Sequence, residues 1–484
     1  MVHARLAAGT MRWSGQRASR RLTHSYAGSA ALNIHASHDC TRQFRPNVPA
    51  QKWAGGVRYS STTASSESTS LVKLSTPQGL EQCRTFGFCF DIDGVLYQGS
   101  NKVAATLPTL KFLTDHGVGL VLLTNGGGKV VEDERARRLE AKLGVPEGRD
   151  ILRGRVIQSH TPSKGWPEQV KSQTVFITGS DPEAARKIAK SYGFTNVVTS
   201  HDLLRGNPAL YPFDHKLGNA EGEDKPESRG ALLPKRIWNA DPFDHDGAKR
   251  SDALRIDKVL IWNDPRDWSV DIQIIYDMLI SHQGYLGTVS GKNGDGSLPN
   301  GGWQQDGQPE VWMSNLDLFW KTEYGVNRYG TGAFLEALKG VWGASTGGAP
   351  LQFKAMGKPF KESYDYAERL LLSQTTASTD TTESEGETTP TTMKRVYMIG
   401  DNPESDIRGA SEYQSSKGVE WVPILVRTGV WQETEGRKTP PYSPAAVVND
   451  VLDAVVWAMR NEGLDVDRAL VSRLYREHSW KQGA

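Results

Sequence analysis

Long apolar runs are missing from this 484-residue chain; none approaches the roughly 20 residues that a membrane helix needs. That excludes a bundle of spanning helices, and a soluble body is expected. Cysteine is scarce. Cys40, Cys83 and Cys89 make no disulfide framework and suit a reducing compartment. Hydrophobic residues reach only 37 %, so part of the chain is expected to lie outside any packed core. Acids are nearly absent from the first 60 residues, where Asp39 stands alone against nine Lys and Arg. That segment carries +8 and the rest of the chain −7, which together make the net +1. A basic tail on an acidic body suits nucleic acid, but this one is rich in Arg, Ser and Ala and almost free of acids. That is the composition of a mitochondrial transit peptide. Residues 1–60 are therefore read as an import signal to the matrix, with no nucleic-acid partner. STTASSESTS (61–70) opens a flexible linker taken to run to residue 83.

What is present begins with FCFDIDG. The apolar run Phe86 to Phe90 ends in two aspartates one residue apart. On a strand, positions i and i+2 share a face, so Asp91 and Asp93 sit side by side. Like charges there repel, and each favours protonating the other. A cation, or chemistry that uses both groups, resolves the conflict. The run from Val118 to Leu123 reads as a strand buried on both faces of a parallel sheet, and it ends in Thr124-Asn125. Helical patterns over 104–116 and 130–143 alternate with these strands, which predicts a parallel α/β sheet. Strands over 174–180, 258–265 and 311–315, with helices over 182–192, 269–283 and 332–343, predict a second α/β unit. The first pattern then returns: a strand from 394 ends in GDNPESD, another follows at 421–430, and a helix is expected over 447–459. The acidic low-complexity stretch 373–393 is expected to be a disordered surface loop.

In doubly wound sheets ligands bind beyond the carboxyl ends of the strands. Four polar signals fall there: Asp91 with Asp93, Thr124, Lys358 in AMGKPF, and Asp401 with Asp406 in GDNPESD. A phosphate ester needs hard oxygen ligands for Mg²⁺. It needs a carboxylate nucleophile, an acid for the leaving oxygen, and hydroxyl and ammonium groups to neutralise the phosphoryl charge. The set supplies each of these.

FDIDGVL, LLTN, GKP and GDNPESDI, in that order, resemble the four motifs of the haloacid dehalogenase (HAD) superfamily. The spacing resembles its NagD-like class IIA branch, with more than two hundred residues between Thr124 and Lys358. SHTP (159–162), IWNDPRDWSVDIQ (261–273) and SNLDLFWKTEYGVNRYGTGAF (314–334) are similar to the cat eye syndrome critical region protein 5 type, in its fungal mitochondrial form. The resemblance implies an α/β, Rossmann-like doubly wound core carrying an inserted C2-type α/β cap. The core is expected over 84–164 and 346–464, the cap over 165–345 and a C-terminal tail over 465–484. It implies Asp91 as nucleophile, Asp93 as general acid/base, Thr124 and Lys358 as phosphoryl-binding groups, and Asn125 and Gly126 as substrate contacts. Asp91, Asp93 (through its carbonyl), Asp401 and Asp406 would hold Mg²⁺. The implied activity is hydrolysis of a small phosphorylated metabolite, and cap-mediated homodimers occur in this branch. Alternatives are a binding or regulatory protein with weak hydrolysis, or a phosphotransferase linked to phospholipid metabolism. Two departures stand out. Asn125-Gly126-Gly127-Gly128 replaces a more polar sequel to the threonine, and Asn402-Pro403 replaces a charged pair.

Overall fold

The computed structural model describes residues 76–213, 230–376, 393–434, 436 and 438–475. The transit-peptide reading, most of the linker and residues 377–392 of the low-complexity loop lie outside the described residues. No helix among the described residues is long and apolar enough to cross a membrane.

Six parallel strands form the first sheet. Their spatial order is Ala446–Val448, Glu420–Val426, Arg395–Gly400, Phe86–Phe90, Gly119–Leu123 and Val156–Ile157. The central strand shows why a buried parallel strand reads as an apolar run. Phe86, Phe88 and Phe90 face one layer with Leu110, Val455 and Met459, while Cys89 faces the other with Val121, Tyr364 and Leu371. All five of its residues are buried. Each phenylalanine so placed contributes roughly 2–3 kcal/mol. Gly87 sits in a tight spot, where a Cβ would meet Met393 Cε at 3.1 Å and Gly119 O at 3.3 Å.

Five further parallel strands form a second sheet, inserted in sequence between Val156–Ile157 and Arg395–Gly400. Their order is Lys354–Ala355, Glu310–Met313, Lys258–Ile261, Thr174–Thr178 and Asn196–Val198. It has its own apolar layers, built on Phe176, Ile261, Ile275 and Phe334 on one face and on Val175, Ile188 and Trp262 on the other. Its edge strand Lys354–Ala355 lies past residue 345, where the sequence pattern ends the inserted unit.

Three other differences have local causes. The expected helix over 447–459 divides: Ala446–Val448 pairs as an edge strand and the helix is Val451–Asn461. Asp450 caps that helix by accepting from Leu452 N and Asp453 N, both at 3.0 Å, so it cannot begin earlier. Residues 373–376 continue the helix Lys361–Thr376 instead of opening a loop. Short helices also occupy Pro77–Cys83 and Arg468–Leu474, within the stretches read as linker and tail; Leu470 and Val471 of the second are buried.

Candidate functional site

The carboxyl ends of both sheets open on one cavity of about 300 Å³. From the first sheet come Asp91, Thr124 and Asp401, each the residue after a strand. From the second come Asn263 and Asp264 after Lys258–Ile261, and Asn315 and Asp317 after Glu310–Met313. Adjacent parallel strands end together, which is why residues far apart in sequence meet here.

Lys358 is the hub. Its ammonium donates to Asp91 Oδ1 and Asp406 Oδ1, each at 2.7 Å, and it is 1 % exposed. Asp406 Oδ2 accepts from Asp401 N (3.1 Å) and Asn402 N (3.0 Å), so this carboxylate both holds the lysine and closes the turn after its strand. Asp401 Oδ2 accepts from Val430 N at 2.6 Å. Gly94 (φ 98°) and Gly429 leave it room: a Cβ at either would lie 2.2 or 1.8 Å from that oxygen.

Asp91, Asp401 and Asp406 each bring a carboxylate oxygen within 4.8 Å of the others, and all three are buried. Burial, with repulsion from Asp91 and Asp406, holds the Asp401 carboxyl well above the usual range. Burial raises Asp91 and Asp406 too, against the pull of Lys358. Three clustered carboxyl groups with one ammonium, which bonds two of them, leave negative charge to be balanced. A hard, all-oxygen donor set of this kind fits Mg²⁺. Asp93 lines the same cavity outside this trio, its Oδ2 3.9 Å from the Arg135 guanidinium.

The loop after Thr124 is tied down. Asn125 Oδ1 accepts from Lys358 N (2.9 Å), and its Nδ2 donates to Lys358 O (3.0 Å) and Asp317 Oδ2 (2.9 Å). Its side chain thus orients the lysine and is committed within the protein. Gly126 N donates to Thr124 Oγ1 at 3.0 Å, which leaves the hydroxyl proton free to point into the cavity. Gly128 N donates to His160 Nε2 at 3.0 Å, and the fully buried His160 ring stacks on Trp262 at 4.7 Å. Burial lowers His160 to about 4, so it stays neutral and can accept that bond.

Sequence reasoning does not single out Asp317, Asn315, Thr331 or His160. Asp317 joins the two sheets, accepting from Asn125 and, at 3.2 Å, from Asn402 Nδ2. Asn315 Nδ2 donates to Asn125 O at 3.0 Å, and Thr331 donates to Asp264 Oδ1 at 2.6 Å. The signal is present, since His160 lies in SHTP and the others in SNLDLF and YGTGAF. Nothing local shows that these segments cap the glycine loop.

Two family models match the chain: haloacid dehalogenase-like hydrolase over residues 88–195, and HAD-hydrolase-like over 355–454. A mitochondrial hydrolase of Saccharomyces cerevisiae is 34 % identical over 382 residues, covering 77 % of this chain and 95 % of that protein. A cardiolipin synthase (CMP-forming)/mitochondrial hydrolase fusion protein of Schizosaccharomyces pombe is 34 % identical over 374 residues; 77 % of this chain matches about half of it, 53 %. Among solved structures, a hypothetical protein of Pyrococcus horikoshii matches 77 % of this chain and 99 % of its own at 18 % identity and TM-score 0.45. NagD of E. coli matches 75 % of this chain and 96 % of its own at 15 % identity and TM-score 0.39.

Proposed function

The chain belongs to the haloacid dehalogenase-like hydrolases, and from that premise we propose that it is a Mg²⁺-dependent phosphatase of small phosphomonoesters, working through an aspartyl-phosphate. The observation that carries the reading is Lys358, held between Asp91 and Asp406 at 2.7 Å from each, with Asp401 beside them at the carboxyl edge of the sheet.

With one Asp91 oxygen held by Lys358, the other is free to attack phosphorus. The P–O bond to the alcohol breaks, and Asp93 gives its proton to the departing oxygen. Asp93 then takes a proton from water, which attacks the aspartyl-phosphate and releases inorganic phosphate. Thr124 Oγ1 and Lys358 Nζ hold the phosphoryl oxygens and offset their charge. Asn125 and Asp317 position the lysine rather than the substrate. The carboxylates of Asp91, Asp401 and Asp406, with the Asp93 carbonyl, would hold Mg²⁺, which when bound neutralises charge on the phosphoryl group. The inserted sheet roofs the site and excludes water. The protein acts in the mitochondrion, a reading supported by the composition of residues 1–60 and by the names of the two yeast relatives described above.

The test is phosphate release from p-nitrophenyl phosphate with and without Mg²⁺, beside Asp91→Asn. Turnover that needs both the ion and Asp91 is expected. Equal release by wild type and Asp91→Asn would remove the assigned nucleophile and favour a binding role.

A further inference from the structure

The inserted sheet has a switch point of its own. Thr174–Thr178 runs out into the helix Pro182–Ser191 and on to the edge strand Asn196–Val198. Its neighbour Lys258–Ile261 runs out into the helix Trp268–Ile280 and on to Glu310–Met313, on the opposite side. Strand order therefore reverses between these two, and a crevice opens beyond their carboxyl ends. A cavity of about 690 Å³ occupies it, within the range of small-molecule sites. Gly179 lines it where a Cβ would press to 2.8 Å from Trp262 O.

The charges around this cavity are unequally engaged. Its acids already have work. Asp181 caps one helix through Ala184 N and Asp267 the other through Val270 N. Glu183 pairs with Arg186, and Glu134 with Arg137 and Arg138. Lys129, Lys187 and Arg266 also line it; they are exposed and make no ion pair among the described residues. Asp271, only 4 % exposed, lines the same cavity beside the hydroxyls of Thr178 and Ser200, and its Oδ1 makes no close hydrogen bond among the described residues. A buried carboxylate oxygen without a donor is costly, and a ligand hydroxyl or amine would relieve it.

The cavity adjoins the catalytic one, since Lys129 and Arg266 line both. Asn263 stands at the junction, with Nδ2 donating to Gly127 O on the core side and to Ser180 Oγ on the cap side, the latter at 3.1 Å. Its φ of 100° is one that a non-glycine residue adopts only where its surroundings enforce it.

We propose that this crevice is the subsite for the alcohol part of the substrate, and that this alcohol carries a second anionic group together with a hydroxyl or amino donor. Lys187 and Arg266 receive the second anion, and Asp271 receives the donor. The chemistry is that of a sugar bisphosphate or a nucleoside 3′,5′-bisphosphate. The inference rests on the phosphatase reading.

The test compares fructose 1,6-bisphosphate and adenosine 3′,5′-bisphosphate with fructose 6-phosphate, adenosine 5′-monophosphate and p-nitrophenyl phosphate, on the full chain with Mg²⁺. At least one bisphosphate should exceed its monophosphate counterpart in kcat/KM. In Lys187→Ala the ratio of bisphosphate to p-nitrophenyl phosphate kcat/KM should fall about tenfold, mainly through KM, and Lys187→Arg should restore it. Asp271→Asn should lower the same ratio. A general structural defect would lower both substrates and leave the ratio unmoved. Calorimetry of adenosine 3′,5′-bisphosphate on Asp91→Asn gives a readout independent of turnover, where adding Lys187→Ala should weaken binding about tenfold. No preference for either bisphosphate, or an affinity and ratio indifferent to Lys187, overturns the subsite. Loss of Asp91-dependent p-nitrophenyl phosphate turnover overturns the parent reading instead.

Discussion

The two sheets bury aspartate in opposite ways. In the core, Asp91 and Asp406 accept from one ammonium, Lys358, that is itself inaccessible to solvent, and Asp401 lies beside the two carboxylates. In the cap, Asp271 is as deeply buried but has no cation against it, and Lys187 and Arg266 stay at the rim of its cavity. Burial pushes Asp271 up to about 7; Asp267 adds to the effect, while the hydroxyls of Thr178 and Ser200 oppose it. A buried carboxylate either keeps its charge beside a fixed counter-charge or keeps its proton until something arrives. In the core Lys358 pulls against the effect of burial on Asp91 and Asp406; in the cap no cation does so for Asp271.

Removing the counter-charge is the severest way to break this contrast. Lys358→Met should cost about 3–5 kcal/mol in urea unfolding, because it strands buried carboxylates. It should also cut turnover roughly a thousandfold or more. Asp91→Asn should lose as much turnover, yet relieve crowding and unfold no more readily than wild type; a large loss of stability there would contradict the assignment.

The pH response of Asp271 comes next. The group ionises near 3.8 in a model peptide and at about 7 in the fold. Between those values the native state holds a proton that the unfolded chain has released. Its contribution to stability is therefore fully present below about pH 4 and is lost as pH rises through 7. Asp271→Asn should gain roughly 2–4 kcal/mol relative to wild type between pH 4 and 8, since each tenfold change in proton affinity is worth about 1.4 kcal/mol. A parallel pair of pH–stability curves would remove the buried, protonated state.

Mg²⁺ sharpens the core side. At a hundredfold excess over Kd it should raise stability by about 2.7 kcal/mol, read as a thermal shift, and Asp401→Asn should erase most of that shift. Smallest is Glu310, which Lys258 and Lys354 hold at about 2 despite the opposing effect of burial. Its stabilisation is present above about pH 4.5 and is lost as pH falls towards 2, the reverse of Asp271. Because Glu310 and Lys354 are exposed, Glu310→Gln should change stability by less than about 1 kcal/mol at pH 7.

Much of the core was legible because its strands are buried on both faces. Phe86–Phe90 and Gly119–Leu123 announce themselves as apolar runs, and the residues that close them, Asp91 and Thr124, are polar where a strand would continue apolar. The edge strand Ala446–Val448 was less legible, because three residues carry too little pattern to separate a strand from the helix that follows. Lys354–Ala355 escapes the pattern for the same reason. Asp317 and His160 fall within recognisable motifs, but their contacts cross between segments 192 and 32 residues apart in sequence, and no local spacing encodes that.

The sequence by itself determined the strand-end chemistry: two carboxylates after one strand, a hydroxyl after the next, a lysine and two more acids later. Hydrophobic period and residue type are local properties, and they survive without coordinates. Only the tertiary structure decided that Lys358 lies between Asp91 and Asp406, that Asn125 serves the lysine, and that Asp271 lines a second cavity with no cation against it. Those outcomes depend on which strand ends meet and on what burial removes from water, and both are set when the two sheets pack.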